Sequence, residues 1–323
     1  MTPPSSLAAR LAPRLSRGAT PGAGGGVRRA LRRAYRRHYL HAYLFVAPVL
    51  IAFGLFRVWP ALQTLYFSVF RVELLRGQLT YVGFQNFTDL VQDAVFQQAF
   101  VNTVIYAAVI VPVAAGLGLG LAVLCNEPFR GREVLKAVYF APMVTSTVSA
   151  AMVWWWLYNP QYGLFNVLLR LLHLPTSSWL LSSTMALPSI ILFSVWKTVG
   201  YNMVIYLAGL QGVPQEFYEA ATLDGAGAWQ RFWRITLPLL APVTAFILIY
   251  NGIFAFQVFD QVFVLTGGGP ANATNVVVLE LYRQAFQRYR FGYASAQAMV
   301  LFLLILGVTL LQFRVSRRYE VTY

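Results

Sequence analysis

Six long apolar runs separated by polar stretches set the pattern of this chain, at about 43–65, 102–124, 137–158, 186–209, 242–262 and 294–313. A helix of about twenty apolar residues crosses roughly 30 Å of hydrocarbon, and within a bilayer the backbone N–H and C=O groups must be satisfied inside the helix itself. The pattern therefore predicts an all-α, polytopic membrane protein with six transmembrane helices. Trp154, Trp155 and Trp156, near the end of the third run, suit the aromatic belt where a span leaves the hydrocarbon. Gly116, Gly118 and Gly120 in the second run read as a small-residue packing face. A phosphate loop is the weaker reading, because no strand precedes them and no Gly-Lys-Ser/Thr follows.

The polar interruption Val213 to Pro238, between the fourth and fifth runs, has a periodicity of its own. Pro214 sits where a first helical turn tolerates a residue without N–H, and Glu216 and Glu219 follow where the helix dipole favours negative charge. A short helix is predicted to Asp224. Gly225 and Gly227 allow a sharp turn, after which Trp229, Phe232, Trp233 and Thr236 recur at helical spacing, with Gln230, Arg231 and Arg234 on the other faces. Two short amphipathic helices between spans suit a membrane surface or a partner's groove better than a catalytic pocket; the alternative is a connector packed on its own bundle.

Composition agrees with the membrane reading. Of 323 residues, 58% are hydrophobic and only 11% charged, against about 25% in ordinary soluble domains. A net charge of +14 raises nucleic acid as a partner, but nine of the 25 Lys and Arg residues lie in the first 37 positions, ahead of the first apolar run, rather than on a folded face. Nucleic acid is therefore not expected. Sorted by a six-span topology, seventeen Lys and Arg fall on the side of the termini and six on the other, with Arg57 and Lys197 inside spans. That bias predicts cytoplasmic termini and a cytoplasmic Val213–Pro238 loop. Residues 1–41 read as a disordered basic arm, retained rather than cleaved, whose part Val27 to Arg37 meets anionic membrane lipid; residues 314–323 read as a tail. A lone Cys125 and three scattered histidines, His38, His41 and His173, predict no disulfide, no metal and no cofactor.

Polar residues at hydrocarbon depth are costly unless they face a bundle interior or a water-filled cavity, which makes them site candidates. The fourth run carries Lys197, Thr198, Tyr201 and Asn202; the fifth carries Asn251, Phe254 and Gln257. Amides and hydroxyls with aromatic faces are what a sugar's hydroxyls and C–H face require. Interhelical hydrogen bonding is the competing reading for each of these polar residues, or, for Lys197 and Asp260, an interface position near the outer leaflet.

Glu219-Ala220-Ala221, three residues ending in Asp224, Gly225, nine residues, then Ile235-Thr236-Leu237-Pro238 resembles the EAA motif of the membrane subunits of bacterial ABC importers. Val82-Gly83-Phe84-Gln85-Asn86-Phe87 and Thr266-Gly267-Gly268-Gly269-Pro270 resemble segments of the sugar-importing members, and the likeness to the maltose-permease type runs from about Ala42 to Phe313. The resemblance implies a non-catalytic permease in the bacterial inner membrane, with a second homologous permease, a dimer of ATP-binding subunits at the cytoplasmic face and an extracytoplasmic solute-binding protein as partners. It makes Glu219, Ala220, Ala221, Asp224, Gly225, Ile235, Leu237 and Pro238 the surface of a coupling helix docked on the ATPase. It also carries the family's sugar contacts onto Lys197, Thr198, Tyr201, Asn251, Phe254, Ala255 and Val258, the last two lacking amides that the maltose protein has there. Val195-Trp196-Lys197 with Tyr201-Asn202 resembles glycerol-phosphate permeases as well, so a phosphorylated solute stays open. An ion-coupled secondary transporter would need paired intramembrane carboxylates, of which Asp260 alone is marginal, and a membrane enzyme would need clustered acids or a nucleophile beside a base.

Overall fold

The computed structural model of the protein describes residues 43–73 and 77–316. The arm read as 1–41 lies outside the described residues, as do positions 317–323 of the tail. The chain divides into two compact units at Gln63 and Thr64. The described part of the first unit is helical throughout and belongs to α1 (Tyr43–Phe67), which runs as a π-turn over Gly54–Val58, just ahead of Pro60.

The second unit opens with a departure from the all-α expectation: a two-stranded antiparallel hairpin, β1 (Phe70–Glu73) and β2 (Gln78–Tyr81), which pairs Phe70 with Tyr81. The short helix α2 (Gln85–Gln92) follows, and then α3 (Ala94–Asn126). Asp93 caps α3 by accepting hydrogen bonds from the Val95 and Phe96 N–H groups at 2.9 and 3.3 Å, which starts the helix well before the apolar run that revealed it.

Hydropathy predicts an unbroken third span at 137–158, but the chain forms α4 (Arg132–Val144) and α5 (Thr147–Leu157) with a 104° bend between them. Pro142 contributes no N–H to α4, and Thr145 leaves the helix with φ −72° and ψ 149°. The fifth run is likewise the second limb of a bent pair: α9 (Ala228–Leu239) and α10 (Ala241–Phe256) meet at 64°, and α10 stops at Gln257 instead of running on to Val262. Between these pairs lie α6 (Leu164–Leu171), α7 (Ala186–Gln211) and α8 (Gln215–Leu223); α11 (Asp260–Leu265), α12 (Val277–Tyr282) and α13 (Phe291–Ser316) complete the order. Four helices, α1, α3, α7 and α13, are each long and apolar enough to cross a membrane, and the described residues hold up to six such spans when each bent pair counts as one.

The most extensive helix contact is between α3 and α7. Helices in hydrocarbon associate through close packing and interhelical hydrogen bonds, which places a premium on small residues where backbones meet. Gly118 of α3 lies against Asn202 and the Met203 backbone, whereas Gly116 and Gly120 face open space, so one of the three glycines of that stripe does the packing. Gly200 of α7 lies against the Tyr139 carbonyl of α4. Around Trp154 the rings of Tyr158, Phe165, Phe193 and Trp196 gather with centroids 5.2–5.5 Å away. The segment between α10 and α13, expected as a plain loop, is instead folded onto α3. Asn102 donates to the Asn272 and Asn275 carbonyls at 3.0 and 2.9 Å, and the Val277 N–H donates to the Thr103 hydroxyl. Fully buried Glu280 accepts from Asn275 and Gln284 and pairs with Arg283 and Arg288.

Candidate functional site

Two regions concentrate the polar groups that the apolar spans otherwise exclude. The first is a cavity of about 200 Å³ between α3, α4, α7 and α10. Its wall is aromatic and aliphatic: Tyr106, Ile110 and Ala114 come from α3, Met143 from α4, and Tyr201, Tyr250, Phe254 and Ala255 from α7 and α10. Thr198, Asn251 and Gln261 add hydrogen-bonding groups, and none of these lining residues carries a charge. The rings form a continuous face, with centroid distances of 5.1 Å from Tyr201 to Tyr250 and 4.6 Å from Tyr250 to Phe254. Gln261 donates to the Tyr106 hydroxyl at 2.9 Å, and Asn251 donates to Asn202 at 3.2 Å. A surface with a π-face on one side and amides on the other can hold a polyol by stacking its C–H face while pairing its hydroxyls.

Of the nine predicted solute-path residues, the structure brings Thr198, Tyr201, Asn251, Phe254 and Ala255 to the cavity. Asn202 lies behind them, fully buried, as the acceptor for Asn251. Lys197 donates to the Pro142 and Thr145 carbonyls at 2.9 and 2.8 Å and is not among the lining residues. Gln257 is exposed where α10 ends, and Val258 is buried in the core. Sequence reasoning missed Tyr106, Met143, Tyr250 and Gln261. Tyr250 had a signal, since it lies four residues from both Phe246 and Phe254, on one helical face.

The second region is the helical hairpin from Val213 to Pro238. Pro214 caps α8, and no residue of α8 is buried. At its far end the Gly225 N–H bonds to the Thr222 carbonyl and the Ala226 N–H to the Ala221 carbonyl, a Schellman closure that requires Gly225 at its φ of +78°. The returning arm α9 widens to a π-turn over Phe232–Thr236, with the Leu237 N–H reaching the Phe232 carbonyl just ahead of Pro238, which has no N–H. Ile235 and Leu237 are half-buried there and Pro238 is exposed. The Tyr218 and Thr236 hydroxyls, 3.0 Å apart, join the two arms, and Arg231 donates to the Thr222 hydroxyl at 3.0 Å.

The outer surface of the hairpin is uncovered. Leu223 is 90% exposed and Trp229 72% exposed, and Ala220 and Asp224 are exposed beside half-buried Ala221. Glu219 is also exposed, without a hydrogen bond or ion pair to any described residue. Apolar side chains thus stand in the open beside a carboxylate that pairs with no described residue, an uncovered surface of mixed apolar and acidic character.

Residues 113–321 match the family of binding-protein-dependent transport system inner membrane components. That span is more than half of the chain. The protein belongs to this family of ABC permeases. Among its relatives, the chain is 35% identical over 272 residues to the sn-glycerol-3-phosphate transport system permease protein of Rhizobium meliloti, covering 84% of this chain and 92% of the relative. It is 36% identical over 275 residues to the sulfoquinovosyl glycerol transport system permease protein of Agrobacterium fabrum, covering 85% and 89%. A crystal structure of a bacterial ABC transporter involved in the import of the acidic polysaccharide alginate superposes with a TM-score of 0.79 at 25% identity, covering 90% of this permease and 99% of that chain. The permease fold is thus matched over 90% of the chain.

Proposed function

We propose that this chain is the transmembrane subunit of an ATP-driven importer, forming half of the path for a sugar or sugar-like solute handed over by an extracytoplasmic binding protein. Each bent helix pair then counts as one crossing, which gives six spans, and the excess of Lys and Arg on one side puts both termini and the hairpin in the cytoplasm. A second homologous permease completes the path, and a dimer of ATP-binding subunits grips the hairpin.

The observation that carries this reading is the uncovered hairpin, with Leu223, Trp229 and Glu219 on its outer face, the last pairing with no described residue. A docking element lets closure of the ATPase favour one of two arrangements of the bundle, as a coupled transporter requires. ATP hydrolysis is assigned to the separate partner. The sugar class is supported by the aromatic and amide wall of the cavity and by relatives named for glycerol-based solutes and for alginate. Import of a glycerol-phosphate-type solute is the second reading, favoured by the 35% identical relative.

The test is reconstitution of the permease pair with its ATPase and binding protein in proteoliposomes. Solute uptake should require both ATP and the ATPase subunits; uptake driven by an ion gradient without them would overturn the assignment.

A further inference from the structure

Lys197 stands near the middle of α7, and its surroundings are specific. Its ammonium donates to the carbonyls of Pro142 and Thr145, at 2.9 and 2.8 Å, on the far side of the α4–α7 contact. Both carbonyls belong to the end of α4, where the 104° bend removes the next turn of helix and with it the N–H donors that would otherwise satisfy them. The end of a helix also carries partial negative charge, which favours a cation. The Thr145 hydroxyl donates to the same Pro142 carbonyl at 2.7 Å, so an ammonium and a hydroxyl together stand in for the missing donors. Gly200, three residues beyond the lysine, packs against the Tyr139 carbonyl, and this backbone approach brings the lysine's four-carbon stem within reach of the break.

Met143 lies between the two anchoring carbonyls and lines the cavity; Thr198, next to the lysine, lines it too. We infer that Lys197 is a positioning residue of the solute path: it caps the broken third span from a neighbouring helix, fixes Met143 in the cavity wall, and leaves the cavity without a free cation. An anionic solute could use this ammonium only by drawing it off two helix-end carbonyls, so this half of the path is suited to an uncharged, hydroxyl-rich solute. The inference rests on the reading of the cavity as part of a solute path.

The test compares native protein with Lys197→Met and Lys197→Arg. In lipid nanodiscs, Lys197→Met should speed amide hydrogen exchange in the segment 146–150 about tenfold, and Lys197→Arg, which can still bridge two carbonyls, should restore most of the protection. In proteoliposomes with the partner subunits, Lys197→Met should lower maximal uptake about tenfold, with KM changing less than about twofold for both an uncharged disaccharide and glycerol 3-phosphate. Unchanged exchange would show that Lys197 does not hold the break, and a KM rise confined to glycerol 3-phosphate with maximal uptake kept would make it a solute counter-ion; either overturns the proposal. Should Lys197→Met fail to fold, Thr145→Val, which keeps the lysine and removes the partner hydroxyl, is expected to speed the same exchange about threefold, and no change there also overturns it. Failure of the native assembly to move any solute would count against the transport reading and leave the exchange result on Lys197 standing.

Discussion

The hydroxyls of Tyr218 and Thr236 lie 3.0 Å apart and tie the outgoing arm of the hairpin to the returning one. Thr236 is buried where α9 turns toward α10, so force applied to α8 reaches the bundle through this contact as well as through the turn. Thr236→Val keeps the shape and removes the bond. It should cost about 1 kcal/mol locally and lower the ratio of solute moved to ATP hydrolysed, while the permease still assembles. Parallel assays of uptake and ATP hydrolysis on one reconstituted preparation check this.

Gly225 closes α8 at a φ of +78°, with nothing near the position a Cβ would take. A substitution there is penalised by backbone strain rather than by crowding. Gly225→Val should cost about 1–2 kcal/mol and weaken ATPase binding, with Gly225→Asn intermediate because asparagine tolerates the left-handed region. Titration of the ATPase subunit onto permease in nanodiscs measures the order.

Asn251 faces the cavity while donating to the side-chain oxygen of buried Asn202, whose amide nitrogen has no partner among the described residues. Asn251→Leu should destabilise the permease by about 1–3 kcal/mol, since it strands a buried acceptor, and the pair Asn202→Leu with Asn251→Leu should recover much of that loss. Uptake should stay impaired in both. Thermal unfolding in detergent beside uptake assays separates the structural role of Asn251 from its role in the proposed solute path.

Gly200 and Gly116 offer a matched pair of helix glycines. A Cβ at Gly200 collides with the Tyr139 carbonyl, whereas one at Gly116 meets nothing within 4 Å. Gly200→Ala should force α4 off α7 at a cost of about 1–3 kcal/mol, while Gly116→Ala should be neutral or gain up to about 1 kcal/mol of helix propensity. The yield of monodisperse permease after heating reports the difference.

What hydropathy reads well is the set of apolar segments, because the length of a span is imposed by the bilayer. Helix ends follow another rule: α3 starts at Ala94 because Asp93 caps it, although the stretch ahead of Asn102 is too polar to join the apolar run. The break at Thr145 had a visible cause in Pro142, yet the 104° bend depends on Lys197, more than fifty residues away, to satisfy the freed carbonyls. The hairpin was legible in detail because proline, acidic residues and glycines act locally. The cavity was half legible: Tyr201, Asn251 and Phe254 stand out as polar or aromatic residues within spans, whereas Tyr106 and Gln261 become neighbours only because α11 packs on α5 and α7 and so brings Gln261 to the Tyr106 hydroxyl.

The hairpin as a handle for an external motor can be tested by site-directed photocrosslinking from position 223 in inverted membrane vesicles, comparing the native carboxylate at Glu219 with Glu219→Lys. The expected result is an adduct between the permease and its ATP-binding subunit that is formed in the native background and lost in Glu219→Lys, with permease levels unchanged. Adducts only to lipid or to the permease itself in the native background, with full ATP-driven uptake, would show that the hairpin is not what the motor holds.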